Sequence, residues 1–500
     1  MADTLTNSKL HLTSGRLLAR NTIWNLIGNA APMAVAVFSI PILIHGLGKD
    51  RFGVLTLAWA LIGYASLFDM GLGRALTQLV AKKLGERDEQ DIPTLVGTSL
   101  LLMLVLGIVG TLSTAAISPW LVHRALKVPQ TLQSEALHSF YLLALSVPVV
   151  ISTAGLRGVL EAYQRFGIIN ALRVPMGIFG FAGPLLVLPF SNSLTPVVFV
   201  LVVGRFIAWA AHLFFCFRLI PALRRGPFWE RSAVTPLLRF GSWMTVSNIV
   251  GPLMTTLDRF VIGSLISVGV VAYYTTPYEL ISKLWLIPVS LLSVMFPAFS
   301  TSFVQDRNRA AMLYARSVKY LLLALFPVIL IIVALAQDGL KIWLGADFAN
   351  HSARVLQWLA VGAFINCMAS SPLAVVQGAG RPDLTAKLHL IELPLYLAAL
   401  FSLTRMQGIE GAAIAWTARM AFDALALFAL AKRFLPIPSS SQLQTIALFA
   451  AALVNFGLAT LLHSWETRAL FLLSIFLGFA LISWFLVLSP EERKLAQQLS

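Results

Sequence analysis

Residues 94–118 read TLVGTSLLLMLVLGIVGTLSTAAIS, a run without one charged side chain. About 20 apolar residues cross a bilayer as a helix, so this run reads as a membrane span. Working outward, comparable runs lie at 21–45, 53–80, 136–160, 166–190, 194–219, 240–264, 268–299, 318–336, 353–378, 384–404, 409–432, 443–462 and 468–489. The shortest turns between them are 190–194 and 404–409. Composition agrees: of 500 residues, 58% are hydrophobic and 12% charged. A water-facing domain carries about 25% charged residues, so most of this surface must face lipid. The expectation is an all-α integral membrane protein of about 14 transmembrane helices.

The polar segment 1–20 holds Lys9, Arg16 and Arg20, and no small-residue cleavage site follows it. The first apolar run is therefore expected to be an uncleaved span. An even number of spans puts both termini on one side. Of 37 Lys and Arg residues, 25 fall on that side, eight on the other and four within spans. The eight are Lys49, Arg51, Arg124, Lys127, Lys341, Arg354, Arg405 and Arg468. This bias places both termini in the cytoplasm. It also accounts for the net charge of +15 through anionic lipid headgroups, with no nucleic acid implied.

Two stretches echo each other. GVLEAYQRFGIINAL (158–172) matches AVVQGAGRPDLTAKL (374–388), and the GNAAP region from Gly28 matches SNIVGP from Ser247. The shift covers six helices, so the halves are expected to insert in the same orientation, as two parallel-repeat six-helix lobes. The resulting divisions are a tail 1–20, a first lobe 21–219, a cytoplasmic linker 220–239, a second lobe 240–434, helices 13 and 14 within 435–490, and a tail 491–500.

Catalytic signatures are absent: no HExxH, GxSxG, Walker A loop or Cys/His cluster occurs, and no cofactor is expected. Cys216 and Cys367 sit in apolar runs and read as small buried hydrophobes. The informative residues are charges inside spans, each costing about 2.5–3.5 kcal/mol to insert. Glu279 and Lys283 lie at i, i+4, as do Arg419 and Asp423; Arg205, Glu392, Asp258 and Arg259 are also deep, and Asp69 and Arg74 lie near the inner end of helix 2. Members of an i, i+4 pair share a helix face and can satisfy each other. Asp258 and Arg259 point about 100° apart, and Arg205 has no acid nearby in its helix. A surplus of cations facing the interior suits an anionic ligand such as a phosphate. Asn21, Asn25 and Asn29 form a polar stripe that either lines water or joins helices. Pro32 and Pro41 in helix 1 and Pro252 in helix 7 mark matching interruptions.

Several motifs then carry a resemblance. RNTIWNLIGNAAP (20–32), IHGLGKDRFGVL (44–55), LFDMGLGRAL (67–76), LRGVLEAYQRFGIINALR (156–173), LDRFVIG (257–263) and YELISKLWLIPVSLLSVMFPAFS (278–300) resemble the O-antigen and polysaccharide flippases. These are a branch of the multidrug, oligosaccharidyl-lipid and polysaccharide exporter superfamily. The resemblance runs from about residue 20 to 435. It implies a bacterial inner-membrane flippase moving an undecaprenyl-pyrophosphate-linked oligosaccharide from the cytoplasmic to the periplasmic leaflet by alternating access. Its partners would be that lipid-linked oligosaccharide, membrane lipids and a polysaccharide polymerase. On this reading Arg259 and Lys283 meet the pyrophosphate, with Arg205 and Arg419 behind them and Asn25 and Asn29 as polar contacts. Glu279, Asp258, Asp423 and Asp69 tune those cations or bind a coupling ion. A drug/cation antiporter of the same superfamily is the alternative and needs an acid-dominated cavity. A membrane polymerase or ligase would carry a large outer loop, whereas 119–135 and 337–352 are short.

Overall fold

The computed structural model describes residues 32, 34–65, 72–86, 90–163, 165–224, 229–230, 234, 254–289, 292, 307–379, 381–436, 439–462, 464–487 and 493, apart from a few side chains within them. Among these residues the chain is helical, with no strand. In order the helices are α1 (Ala34–Leu47), α2 (Lys49–Ala65), α3 (Leu72–Glu86), α4 (Ile92–Trp120), α5 (Gln130–Ala162), α6 (Phe166–Val187) and α7 (Leu194–Leu219). Then come α8 (254–265), α9 (Val268–Ser282), α10 (Arg307–Ala334), α11 (Ala336–Leu344), α12 (Ala346–Gly378), α13 (Pro382–Phe434), α14 (Ser439–Leu461) and α15 (Trp465–Ile482). Nine described helices are long and apolar enough to cross a membrane. One of them, α13, is two arms joined at Gly408, whose φ of 63° and ψ of −141° break the helix. The expected 404–409 turn is thus present. The expected starts of helices 1 and 7, 21–31 and 240–253, lie outside the described residues.

Several boundaries differ from expectation: α5 begins at Gln130 rather than 136, and α9 gives way to a 3-10 turn at Lys283. The span expected at 318–336 begins at Arg307, because the segment with Arg307, Arg309 and Arg316 stays helical ahead of the apolar run. The outer loop 337–352 is mostly helical: α11 buries Ala336, Leu340 and Leu344 on one face, while Ile342 is 88% exposed. Spacing of i, i+4, i+8 makes that stripe, and its nine residues are too few to register as a span.

The chain divides into two compact units, Met1–Ala272 and Tyr273–Ser500. In the first, α5 packs on α3, α4 and α7. Small residues let the backbones approach: a Cβ on Gly107 would come within 2.5 Å of Pro148, and one on Gly158 within 2.8 Å of the Gly73 carbonyl. In the second, α12 packs on α10 and on α13, and Trp416 is fully buried there. By contrast, none of the most apolar stretch of α15 is buried, and Leu470, Leu473, Leu477 and Leu481 face outward. Apolar side chains facing outward on a helix of this length are what lipid contact requires.

Prolines interrupt these spans without ending them, and the structure shows how. Pro148 has no N–H for the carbonyl four residues back, Ala144, and Thr111 Oγ1 of α4 donates to that oxygen at 2.8 Å. Pro277 likewise leaves the Tyr273 carbonyl, and Ser352 Oγ of α12 donates to it at 2.8 Å. A neighbouring hydroxyl replaces the missing amide in both units.

The repeat is visible in backbone detail. Arg165 precedes α6 and Arg381 precedes α13, 216 positions later. Arg165 N bonds Leu160 O at 2.8 Å, and Arg381 N bonds Val376 O at 3.2 Å. Tyr163 N to Val159 O and Ile168 N to Arg165 O are matched by Ala379 N to Val375 O and Leu384 N to Arg381 O. These three bonds of the first turn have counterparts at the same shift in the second.

Candidate functional site

The turn at Gly408 decides which charges of the second unit meet. It brings together residues about equally distant from it on the two arms of α13. His389, Glu392 and Tyr396 lie at i, i+3 and i+7 on the first arm, hence on one face. Arg419 and Asp423 lie at i, i+4 on the second. Arg419 Nε is 3.9 Å from Glu392 Oε2, and its guanidinium lies over the Tyr396 ring, 5.3 Å from the centroid. Carboxylate or imidazole atoms of His389, Glu392 and Asp423 all lie within 4.8 Å of one another. Glu392 and Asp423 are buried, whereas His389 is half-buried. Arg419 thus has an acid partner on the other arm that spacing within its own helix does not reveal.

Glu279 lies in the last turn of α9, and Lys283 opens the 3-10 turn Lys283–Trp285 that follows it. Lys283 Nζ is 3.4 Å from Glu279 Oε2, and their side chains are 36% and 27% exposed. This pair forms at the expected spacing and stays accessible. Its aromatic setting is built by Tyr278, which meets Trp285 and Trp416 edge to face at 6.3 and 5.8 Å.

In the first unit, Asp258 and Arg259 are both buried on α8, and Asp258 Oδ1 accepts the Arg259 backbone N–H at 2.8 Å. That bond ties the carboxylate to the backbone. Arg205 is half-buried on α7 and has no hydrogen-bond or ion-pair partner among the described residues. Asn25, Asn29 and Asp69 lie outside the described residues.

Several polar links at helix ends were not foreseen. Arg51 Nε donates to Glu135 Oε2 at 2.8 Å, and Glu135 Oε1 accepts the Leu194 N–H at 3.1 Å, joining α2, α5 and the start of α7. Tyr273 donates to Asp347 at 2.6 Å, Arg468 pairs with Asp338, and Arg354 lies 3.4 Å from Glu410. Most involve residues expected in outer loops, where sequence gives no pairing rule. On the opposite side Arg381 donates twice to Asp383, at 2.9 and 3.1 Å; that bonding raises the guanidinium above its ordinary affinity for protons. His389 is the one cluster member that sequence reading passed over. Its i, i+3 relation to Glu392 was the available signal.

A family model described as polysaccharide biosynthesis protein matches residues 18–303. The chain is 32% identical over 415 residues to a putative O-antigen transporter of Shigella flexneri, covering 82% of this chain and 96% of that protein. It is 22% identical to the lipopolysaccharide biosynthesis protein WzxC of Escherichia coli K12, covering 78% of this chain and 75% of that one. Among solved structures, the lipid II flippase MurJ in an inward closed conformation aligns with a TM-score of 0.69 at 14% identity, covering 92% of this chain and 98% of that one. An inward-facing multidrug resistance MATE transporter aligns with a TM-score of 0.63, also at 14% identity, over 85% of this chain and 98% of that one. These structural likenesses concern the fold.

Proposed function

Because the chain belongs to the O-antigen and polysaccharide flippase family, a family of multi-pass membrane transporters and not enzymes, we propose that it moves an undecaprenyl-pyrophosphate-linked oligosaccharide from the cytoplasmic to the periplasmic leaflet. The name of the Shigella flexneri relative and that of the lipid II flippase support a glycan carried on a lipid as cargo.

The observation that carries the reading is Arg205. It stands in a 26-residue apolar helix with no hydrogen-bond or ion-pair partner among the described residues. A guanidinium kept there at an insertion cost of about 2.5–3.5 kcal/mol has use for an anion. Pyrophosphate suits it, since guanidinium binds phosphate oxygens in a bidentate fork. Lys283 and Arg259 are the further cationic contacts, with Arg419 behind them. Asn25 and Asn29 are the polar contacts for the sugars in this reading, and the prenyl chain stays in lipid. Glu279, Asp258, Asp423 and Asp69 set the charge of the pathway. Transport proceeds by alternating access of two six-helix lobes, 21–219 and 240–434. The fourteen-span topology leaves both termini in the cytoplasm of an inner-membrane protein, and a polysaccharide polymerase takes the delivered unit.

The test is genetic. Deletion should accumulate lipid-linked glycan in the inner leaflet, and wild type should clear it. Arg205→Ala combined with Lys283→Ala should not, at normal protein level. Full clearance by that variant would refute the cationic pathway.

A further inference from the structure

The α13 hairpin gathers further ionisable groups, His389 and Glu392, around Asp423. His389, Glu392 and Asp423 converge within 4.8 Å. Glu392 is 1% and Asp423 6% exposed, and neither Glu392 oxygen nor Asp423 Oδ1 has a hydrogen-bond partner among the described residues. Acceptors left unmet in so dry a place are costly. Arg419 is the charged neighbour, and Tyr396 lies under its guanidinium. Among the described residues no other charged group acts on the three, and α12, packed against the hairpin, adds none.

Charge decides what completes the cluster. Two carboxylates and one guanidinium leave a single negative charge, and a buried net charge is strongly disfavoured. One further positive charge brings the cluster to neutrality. A divalent metal overshoots it and has to share the space with the guanidinium. A proton fits without new ligands, shared between the carboxylates or carried by the imidazole. His389 is half-buried while both acids are sealed, so the imidazole is the exposed edge of the cluster.

We propose that His389, Glu392 and Asp423 together hold one exchangeable proton, which enters and leaves through His389. The proposal rests on the flippase reading only for its use: loading and release of this proton is the ion step that such transport can be coupled to.

The test uses the purified full chain in lipid nanodiscs, followed by infrared difference spectroscopy as pH is raised. Wild type should show a protonated-carboxyl band that disappears on titration. Glu392→Gln with Asp423→Asn should lack it. His389→Gln should keep the band and slow its exchange with deuterium. Arg419→Gln should take up one more proton than wild type at neutral pH, since the guanidinium no longer offsets a carboxylate. Absence of the band in wild type, its persistence in the double variant, or an unchanged proton count in Arg419→Gln would each overturn the proposal. So would binding of Na+ or Zn2+, each titrated alone, that the double variant abolishes. No lipid-linked substrate enters these measurements. Their failure therefore leaves flipping standing, and loss of flipping with an intact band counts against the functional reading alone.

Discussion

Two acid–base pairs with the same i, i+4 spacing meet opposite fates in this chain. Glu279 and Lys283 close on each other and remain 27% and 36% exposed. Arg419 turns to Glu392 on the other arm of α13, and those two side chains are 9% and 1% exposed. The first pair is solved within one helix; the second needs a hairpin. What separates them is access: one can exchange its partner for a ligand, and the other is locked into a sealed cluster. Spacing on a helix states which residues share a face, and tertiary folding states what that face meets.

The largest effect expected from this contrast is on stability. Glu392→Leu breaks the buried pair with Arg419 that bridges the two arms of α13, which should cost about 3–5 kcal/mol. It should appear as a marked fall in thermal stability in detergent. A variant as stable as wild type would mean that Arg419 is not sealed. The next effect concerns the turn that builds the cluster. Gly408 has φ of 63° and ψ of −141°, open essentially to glycine alone. Gly408→Ala should cost about 1–3 kcal/mol by the same measurement. Ser352→Ala should cost a comparable or smaller amount, about 1–3 kcal/mol, by stripping the Tyr273 carbonyl of the donor that stands in for Pro277. The smallest effect belongs to the open pair: Glu279→Leu should change stability by about 0–1 kcal/mol, because Lys283 keeps access to a polar surrounding. If Glu279→Leu were as damaging as Glu392→Leu, the distinction between the two pairs would fail. Accessibility sharpens the same contrast. Lys283→Cys should react readily with a small maleimide in native membranes, and Asp423→Cys should not.

Much of the architecture was legible because lipid imposes one strong rule. The uncharged run 94–118 and its counterparts mark α4 and most other spans, and Gly408 falls inside the turn expected at 404–409. The repeat stood out at Arg165 and Arg381, and their backbone bonds match at that shift. Amphipathic α11 was hidden because its stripe is short. The proline carbonyls were hidden because their donors, Thr111 and Ser352, come from other helices. The cluster was legible only in part: Arg419, Asp423 and Glu392 stood out as charges in apolar runs. His389 did not, since neutral imidazole is unremarkable until two carboxylates face it.

The central claim is tested most directly by reconstituting the full chain in proteoliposomes carrying an undecaprenyl-pyrophosphate oligosaccharide. The glycan exposed on each leaflet is then scored with an impermeant glycosidase. The account predicts protein-dependent transfer between leaflets by wild type, and loss of it in Arg205→Ala with Lys283→Ala at equal incorporation. Equal transfer by that variant, or no transfer by wild type, would contradict it.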